Sequence, residues 1–440
     1  MAKEKREKYG PHAKKAAWLS IIPGFGQWYN GQKFKAIVFM IGFLLFAWQI
    51  IGYGIPIFQD FVTLGTVPWE DHSLFILIKG SLEIIVVGIF FLFYGINFYD
   101  ALHIGSLYDL HREKEVHHTA KENLQVLSQG GFPYLFTLPS YILMTFVIIF
   151  PVLVTILTAF TNYDFQHIPP AQLIDWVGFK NFTDIVSLSS YRHTFTQIFV
   201  WTLIWTFVAT TLQIALGIVT AVIANQKWIR GKGFFRVIFL LPWAVPAFIT
   251  ILGFSNMFND SLGAINTQII PLLNHLPFVD IGAIPWKTDP FWTKVALIAI
   301  QSWLGFPYIF VMVTGVLQSI SDDLYEAAYM DGATAFQSFR KITLPMILFA
   351  TAPVLITQYT FNFNNFSIIY LFNQGGPGSI GWGAGNSDIL ISWIYNLVNG
   401  QSPQYAMGAA ITLIVSFIVI AVSLITFRKT NAFSDEEMNY

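Results

Sequence analysis

Eight apolar runs dominate this chain, covering residues 34–57, 74–99, 135–160, 196–224, 237–258, 292–317, 346–372 and 404–427. An apolar run of about 20 residues can cross the ~30 Å hydrocarbon layer of a bilayer. Inside lipid every backbone N–H and C=O must find a partner within the protein, so isolated runs of this kind predict helices. Only 11% of the residues are charged, against about 25% in an ordinary soluble domain. A chain so poor in charge cannot cover a water-exposed surface. The expected fold is an all-α integral membrane protein with about eight transmembrane helices. A shorter apolar stretch, Ala16 to Tyr29, is broken by Pro23, Gly24 and Gly26. It predicts an interfacial or re-entrant segment and not a further span.

Eight spans put both termini on one side, and the distribution of Lys and Arg says which. With the N-terminus inside, 19 of the 24 Lys and Arg residues fall in inner segments. The outer loops then hold Lys180, Arg192, Lys287 and Lys294, and Lys79 lies within the second span. Cytoplasmic N- and C-termini are therefore expected, in a multi-pass protein of the plasma membrane. The basic start, Lys3 to Lys15, suits anionic headgroups, and no small-residue cleavage site suggests a removable leader. A net charge of −1 argues against nucleic acid as a partner. The chain has no Cys, which excludes disulfides, thiolate metal sites and cysteine nucleophiles.

The organisation expected from this pattern has three parts. Residues 1–132 hold the basic start, the interfacial stretch, two additional spans and a charged inner loop. Residues 133–430 form a core of six spans, with a small external loop at 161–195 and an inner loop at 319–345. Residues 431–440 are a cytoplasmic tail, with Ser434 to Tyr440 expected to be disordered.

The inner loop has the strongest local pattern. Ser321, Asp322 and Asp323 are good helix N-terminal residues, Glu326 to Met330 favours helix, and Gly332 suits a left-handed stop. A second short helix starts near Ala335, and Pro345 opens the next span. Small Ala327 and Ala328 leave a narrow ridge that can enter another protein's groove. Glu326, Ala327, Ala328, Gly332, Ile342, Leu344 and Pro345 stand at the spacing Glu-Ala-Ala, three residues, Gly, nine residues, Ile-x-Leu-Pro. In this the chain resembles the permease subunits of binding-protein-dependent ABC importers, whose loop of this pattern is a coupling helix. The resemblance implies that Glu326, Ala327, Ala328, Asp331 and Gly332 dock on an ATPase subunit, with Glu326 facing a basic group there.

The chain shows no nucleotide site of its own. A P-loop needs a Gly-rich turn ending in Lys-Ser or Lys-Thr, whereas Gly26 and Gly31 are followed by Gln32 and Lys33. Gly376 to Gly381 spells a dinucleotide-like glycine spacing but follows a span and not a strand. ATP and magnesium are thus expected on a partner ATPase, with no cofactor, metal or catalytic residue on this chain.

Two spans carry polar and aromatic residues at helical spacing. Gln301, Leu304, Gly305 and Tyr308 share one face of the sixth span, and Gln358, Phe361, Asn362 and Asn365 repeat that spacing in the seventh. Amides that bond hydroxyls, beside rings that stack on C–H faces, are what a sugar site needs. Gly305 and Pro307 also permit a broken helix, common where a transporter holds its substrate. Spacing alone fits interhelical amide bonds equally well. The strings Phe361-Asn362-Phe363-Asn364-Asn365-Phe366, Leu240-Leu241-Pro242-Trp243-Ala244-Val245-Pro246 and Trp303-Leu304-Gly305-Phe306-Pro307-Tyr308, with Gly375-Gly376-Pro377, are similar to the maltose/maltodextrin permease branch. That similarity spans roughly 135–428 and implies that the eight residues of these two faces bind a malto-oligosaccharide. Gln301 and Gln358 depart from the branch, which carries a shorter Asn and Ser there, so sugar length or type can differ.

The function implied is import of maltose or maltodextrin by alternating access. The implied partners are a second permease, two ATPase subunits and an extracellular solute-binding protein. A permease for another oligosaccharide or a sugar phosphate is the nearest alternative. An ion-driven transporter would need ionisable groups deep in the spans, and only Lys79 and Glu83 qualify. Four residues apart, they predict an ion pair near the interface. His111, His117 and His118 lack the convergent acids or thiols of a metal site.

Overall fold

The computed structural model describes residues 9–112, 116–226 and 228–429. The start up to Lys8 and the tail 431–440 lie outside the described residues. Among the described residues no strand forms; two isolated bridges, Thr161 with Trp176 and Gly381 with Ala384, are the nearest approach. Seven helices are long and apolar enough to cross a bilayer, and one bent pair supplies an eighth crossing. In chain order the spans are Lys33–Thr63, Ser73–Asp109, Phe132–Thr158, Ser189–Ala224, the pair Lys232–Ala244 and Ala247–Met257, Pro290–Ser319, Ala335–Asn373, and Tyr405–Lys429. The chain divides into two compact units, Met1–Gly178 and Phe179–Tyr440. The first unit thus includes the third span, which the sequence pattern groups with the six-span core.

In the first unit the stretch expected at the interface forms two short helices, Pro11–Leu19 and Phe25–Tyr29. Ala13, Ala16 and Ala17 are buried, and Gly105 of the second span lets the first helix approach closely, since a Cβ there would press on Ala13. The carboxylate of Asp109 accepts the N–H groups of His12 and Ala13 at 3.0 and 2.9 Å. It thereby satisfies donors that a helix start leaves unpaired. Asn97 donates to the Ser20 carbonyl at 3.0 Å and accepts from the Gly24 N–H at 3.1 Å. Trp18, Ile22, Phe25 and Trp28 stay exposed. The segment is tied to the second span through its polar backbone and leaves its apolar side chains outward.

The Lys79–Glu83 ion pair expected from spacing is absent from the described residues. Lys79 is exposed, while buried Glu83 accepts from the Gln49 amide of the first span at 2.8 Å. Glu83 is engaged by Gln49 of the first span, and Lys79 stays exposed one turn before it on the same helix.

In the second unit the fourth span is central. Gly217 and Gly305 have no room for a side chain: a Cβ would overlap Ile309 at the first and Gln213 at the second. Small residues at such contacts bring helix backbones together in lipid, where packing supplies the attraction. Trp205, Leu297, Ile300, Ile368 and Phe372 pack in one buried cluster, and Ile218, Phe306, Ile309, Phe310 and Ile347 in another.

The break in the bundle lies elsewhere than Gly305 and Pro307 suggest. The helix Pro290–Ser319 runs through Pro307 without interruption. The fifth span breaks instead, bending by 88° between Ala244 and Ala247. There Val245 is extended (φ −117°, ψ 137°), as a residue before proline prefers, and Pro246 starts the second half. Pro307 lacks the same effect because Phe306 is held helical by close packing against the fourth span.

Candidate functional site

The two helices of the inner loop form at the expected places, each for a local reason. Helix Asp322–Met330 begins at Ser321, whose hydroxyl accepts from the Asp323 N–H at 3.3 Å. It ends with Gly332 at φ +79°. The Ala333 N–H donates to the Ala328 carbonyl at 2.9 Å and the Gly332 N–H to the Tyr329 carbonyl at 3.0 Å. That pair of bonds is a Schellman closure, which pairs the last carbonyls of the helix. Thr334 and Gln337 then make a reciprocal capping box for helix Ala335–Ser338. Tyr325 and Thr343 hydroxyls meet at 2.9 Å and pin the elbow to the seventh span.

Glu326, Ala327, Asp331 and Gly332 are exposed and Ala328 is half-buried. Large apolar side chains flank them: Tyr329 is 79% exposed and Met330 83%. A π-turn, Phe339–Thr343, joins the second elbow helix to Leu344–Phe363, so Ala335 to Phe363 is one helical rod; Asn364 and Asn365 interrupt it before the short helix Phe366–Asn373. Pro345 stands in the first turn of Leu344–Phe363, the place expected of it.

Along that rod lies a cavity of about 610 Å³. Gln301, Leu304, Gly305, Tyr308, Gln358, Phe361 and Asn365 all line it. Asn362 does not. It lies in the last turn of Leu344–Phe363 and is turned into the protein, fully buried, whereas Asn365 stands past the end of that helix, in the break before Phe366–Asn373. Its side-chain amide donates to Thr210 Oγ1 at 2.9 Å and Gln213 Oε1 at 3.2 Å, and its backbone carbonyl accepts from Trp205 Nε1 at 2.9 Å.

The amides behind the cavity form a chain. Asn365 donates to Gln301 at 2.9 Å, Gln301 to Gln213 at 3.1 Å, and Gln213 to Gln358 at 3.3 Å. Such a network fixes each amide's orientation, because every member depends on its neighbours. Asn362 ties helices from within the protein, while Gln301, Gln358 and Asn365 are bonded in the chain of amides and also reach the cavity wall. Tyr308 and Phe361 offer exposed rings.

Two participants escaped the sequence. Gln213 is a lone amide in an apolar run, and a polar residue deep in a span was the available signal. Trp243, beside the break in the fifth span, lines the cavity and stands 6.0 Å from the Tyr308 ring centre. Its signal was the pair Pro242 and Pro246, which bends that span and aims the indole inward.

The outer loop after the seventh span is held differently. Asp388 is 1% exposed and accepts from the Gly385 N–H at 2.7 Å, the Ser392 hydroxyl at 2.6 Å and the Asn396 amide at 3.1 Å. Burial outweighs these bonds and pushes its pKa up to about 6. Trp201 Nε1 donates to the Ser387 carbonyl at 3.1 Å, and Trp382 stacks on Tyr191 with centres 3.9 Å apart. Among the described residues no group of three or more His, Cys, Asp or Glu could hold a metal.

Comparison with known proteins adds four findings. The family described as "Binding-protein-dependent transport system inner membrane component" matches over residues 213–431. The chain is 64% identical to the maltodextrin transport system permease protein MdxF of Bacillus subtilis, over 97% of both chains. It is 49% identical to the galactooligosaccharides transport system permease protein GanP of the same organism, over 97% of this chain and 99% of that one. Among solved structures, a chain of a bacterial ABC transporter that imports the acidic polysaccharide alginate superposes with a TM-score of 0.56. That match has 20% identity and covers 71% of this chain and 99% of the other, so it bears on the fold alone.

Proposed function

This chain belongs to the binding-protein-dependent transport system inner membrane components, and from that premise we propose that it passes malto-oligosaccharides across the bacterial plasma membrane by alternating access. The cavity lined by Gln358, Asn365, Tyr308, Phe361 and Trp243 carries the reading. Amides can exchange bonds with sugar hydroxyls, and rings can cover the apolar faces of the pyranoses. A fixed amide chain behind them keeps donors and acceptors presented, which limits the ordering cost of binding.

The energy source is ATP hydrolysed on two separate subunits, since the elbow offers a preformed docking element and the chain lacks a P-loop. Glu326 meets a basic group on the ATPase there. The elbow continues into the rod that carries Gln358 and Phe361, with Asn365 just past its end. From Ala335 to Gln358 that rod extends about 35 Å at 1.5 Å per residue. A displacement of the elbow is thus delivered to the cavity wall without an intervening flexible joint. A second permease completes the pathway, a solute-binding protein delivers the sugar from outside, and both termini face the cytoplasm.

One observation favours a second sugar class, the galacto-oligosaccharide permease at 49% identity. Uptake into proteoliposomes holding the assembled transporter separates the readings. Labelled maltotriose should enter only with ATP and binding protein, and a ladder of malto-oligosaccharides should compete better than galacto-oligosaccharides. Stronger competition by the galactose series would reassign the substrate. Uptake that persists without ATP and collapses with an ionophore would end the importer reading.

A further inference from the structure

A second hollow, of about 410 Å³, lies between the fourth and sixth spans at the end away from the elbow. Lys294 is 26 positions before Ile320, where the sixth helix ends, or about 39 Å along the axis. Its ammonium lies 4.6 Å from the centre of the Trp201 ring, and the side chain is half-buried. Among the described residues the ion pairs lie elsewhere, at Lys35–Asp100 and Asp164–His167. Asp388 lines the same hollow, but Gly385, Ser392 and Asn396 already occupy its oxygens. The ring offsets part of the ammonium's lost hydration. A partly desolvated cation in a membrane protein still calls for a counter-anion.

The walls indicate which anion. Thr196, Gln197 and Asn386 supply hydroxyl and amide groups beside the ammonium. Toward the middle of the fourth span the lining turns apolar, with Val200 49% and Ile204 48% exposed. Thr196 also borders an adjoining hollow that contains exposed Arg192 and His193. The surface thus passes from cationic and polar to aliphatic within two to three helical turns. A soluble anion would use only the upper part, and an acidic protein segment would leave Val200 and Ile204 against a polar backbone. A phospholipid has both halves in that order.

We propose that this hollow binds an anionic phospholipid, its phosphate paired with Lys294 and the start of an acyl chain lying on Val200 and Ile204. The site is distinct from the sugar cavity and does not depend on which sugar is carried. Native mass spectrometry of the full chain in mild detergent, titrated with phosphatidylglycerol, tests it. A near-surface lysine contributes about 1 kcal/mol to anionic-lipid binding, so Lys294→Gln should weaken retention about fivefold. Lys294→Arg should retain the lipid, which controls for misfolding of the Gln variant, and phosphatidylcholine should bind more weakly than phosphatidylglycerol. Inorganic phosphate at equal concentration should not displace the lipid. Equal retention by wild type and Lys294→Gln would overturn the proposal. So would displacement by free phosphate alone, which would mark a simple anion site.

Discussion

The seventh span is entered and left through two connectors of opposite character. The elbow before it, residues 321–343, is closed by bonds within its own backbone and caps, and it turns Glu326, Tyr329, Met330 and Phe336 outward. The loop after it, residues 374–389, is bonded both within itself and to the surrounding helices, and it buries the Asp388 carboxylate. Both contain a glycine at nearly the same backbone angle, Gly332 at φ +79° and Gly375 at φ +80°. What differs is the surroundings: nothing lies within 4 Å of a Cβ added at Gly332, whereas one at Gly375 would overlap the Asp388 carboxylate. A connector that keeps its shape without neighbours can offer its side chains to another protein. One that borrows its shape from neighbours cannot.

The largest effect expected from this contrast is at Asp388. Replacing it with Ala leaves the Gly385 N–H, the Ser392 hydroxyl and the Asn396 amide without their acceptor, a loss of about 3 kcal/mol. Thermal unfolding of the purified chain, with hydrogen exchange over residues 375–389, should register it; an unchanged melting point would mean the loop is not locked. Next come the paired glycines. Gly332→Ala should cost about 1 kcal/mol, for the left-handed backbone alone, and Gly375→Ala about 2 kcal/mol in all, because the overlap adds to it. Equal losses at the two positions would erase the distinction drawn here.

A smaller effect follows from pH. Asp388 has a folded-state pKa of about 6 against the ordinary 3.8, so the folded loop binds the proton more tightly than the unfolded one. Its stability therefore rises as pH falls through about 6 and levels off below about 3.8. Between pH 7 and pH 5 the gain is about 1 kcal/mol, visible as slower exchange in residues 385–396 but not in the elbow. Slower exchange at the higher pH, after correction for intrinsic rates, would contradict the assignment. The smallest change in stability is expected for Glu326→Lys, within about 0.5 kcal/mol, because the side chain is exposed. The same variant should nevertheless lose sugar-stimulated ATP hydrolysis in the assembled transporter. Hydrolysis at the normal rate would remove the docking role from Glu326.

Much of this architecture is legible in the sequence, for identifiable reasons. The bilayer demands long apolar helices, so all eight crossings can be read from composition along the chain. The elbow is equally legible, because its caps, Ser321, Thr334 and Gly332, act within a few residues of the bonds they satisfy. What composition hides is which of several similar residues a neighbour selects. Pro246 and Pro307 are alike in sequence; only packing of the sixth helix on Gly217 decides that the fifth span breaks and the sixth does not. Asn362 and Asn365 are likewise equivalent on paper, yet the helix ends at Phe363, which leaves Asn362 buried in the amide network and sets Asn365, past the break, at the cavity. Gln213 had no periodic companion to reveal it. Glu83 and Lys79 were paired by spacing, but the first helix supplied Gln49 as a nearer partner.

The tight seating of Gly305 on Gln213 and of Gly217 on Ile309 has a mechanical corollary. With no slack between them, the fourth and sixth helices serve as a stator: neither can slide along the other without forcing backbone into side chain. Any change in the shape of the cavity must then come from its two remaining walls, the angled fifth helix and the rod that begins at the elbow.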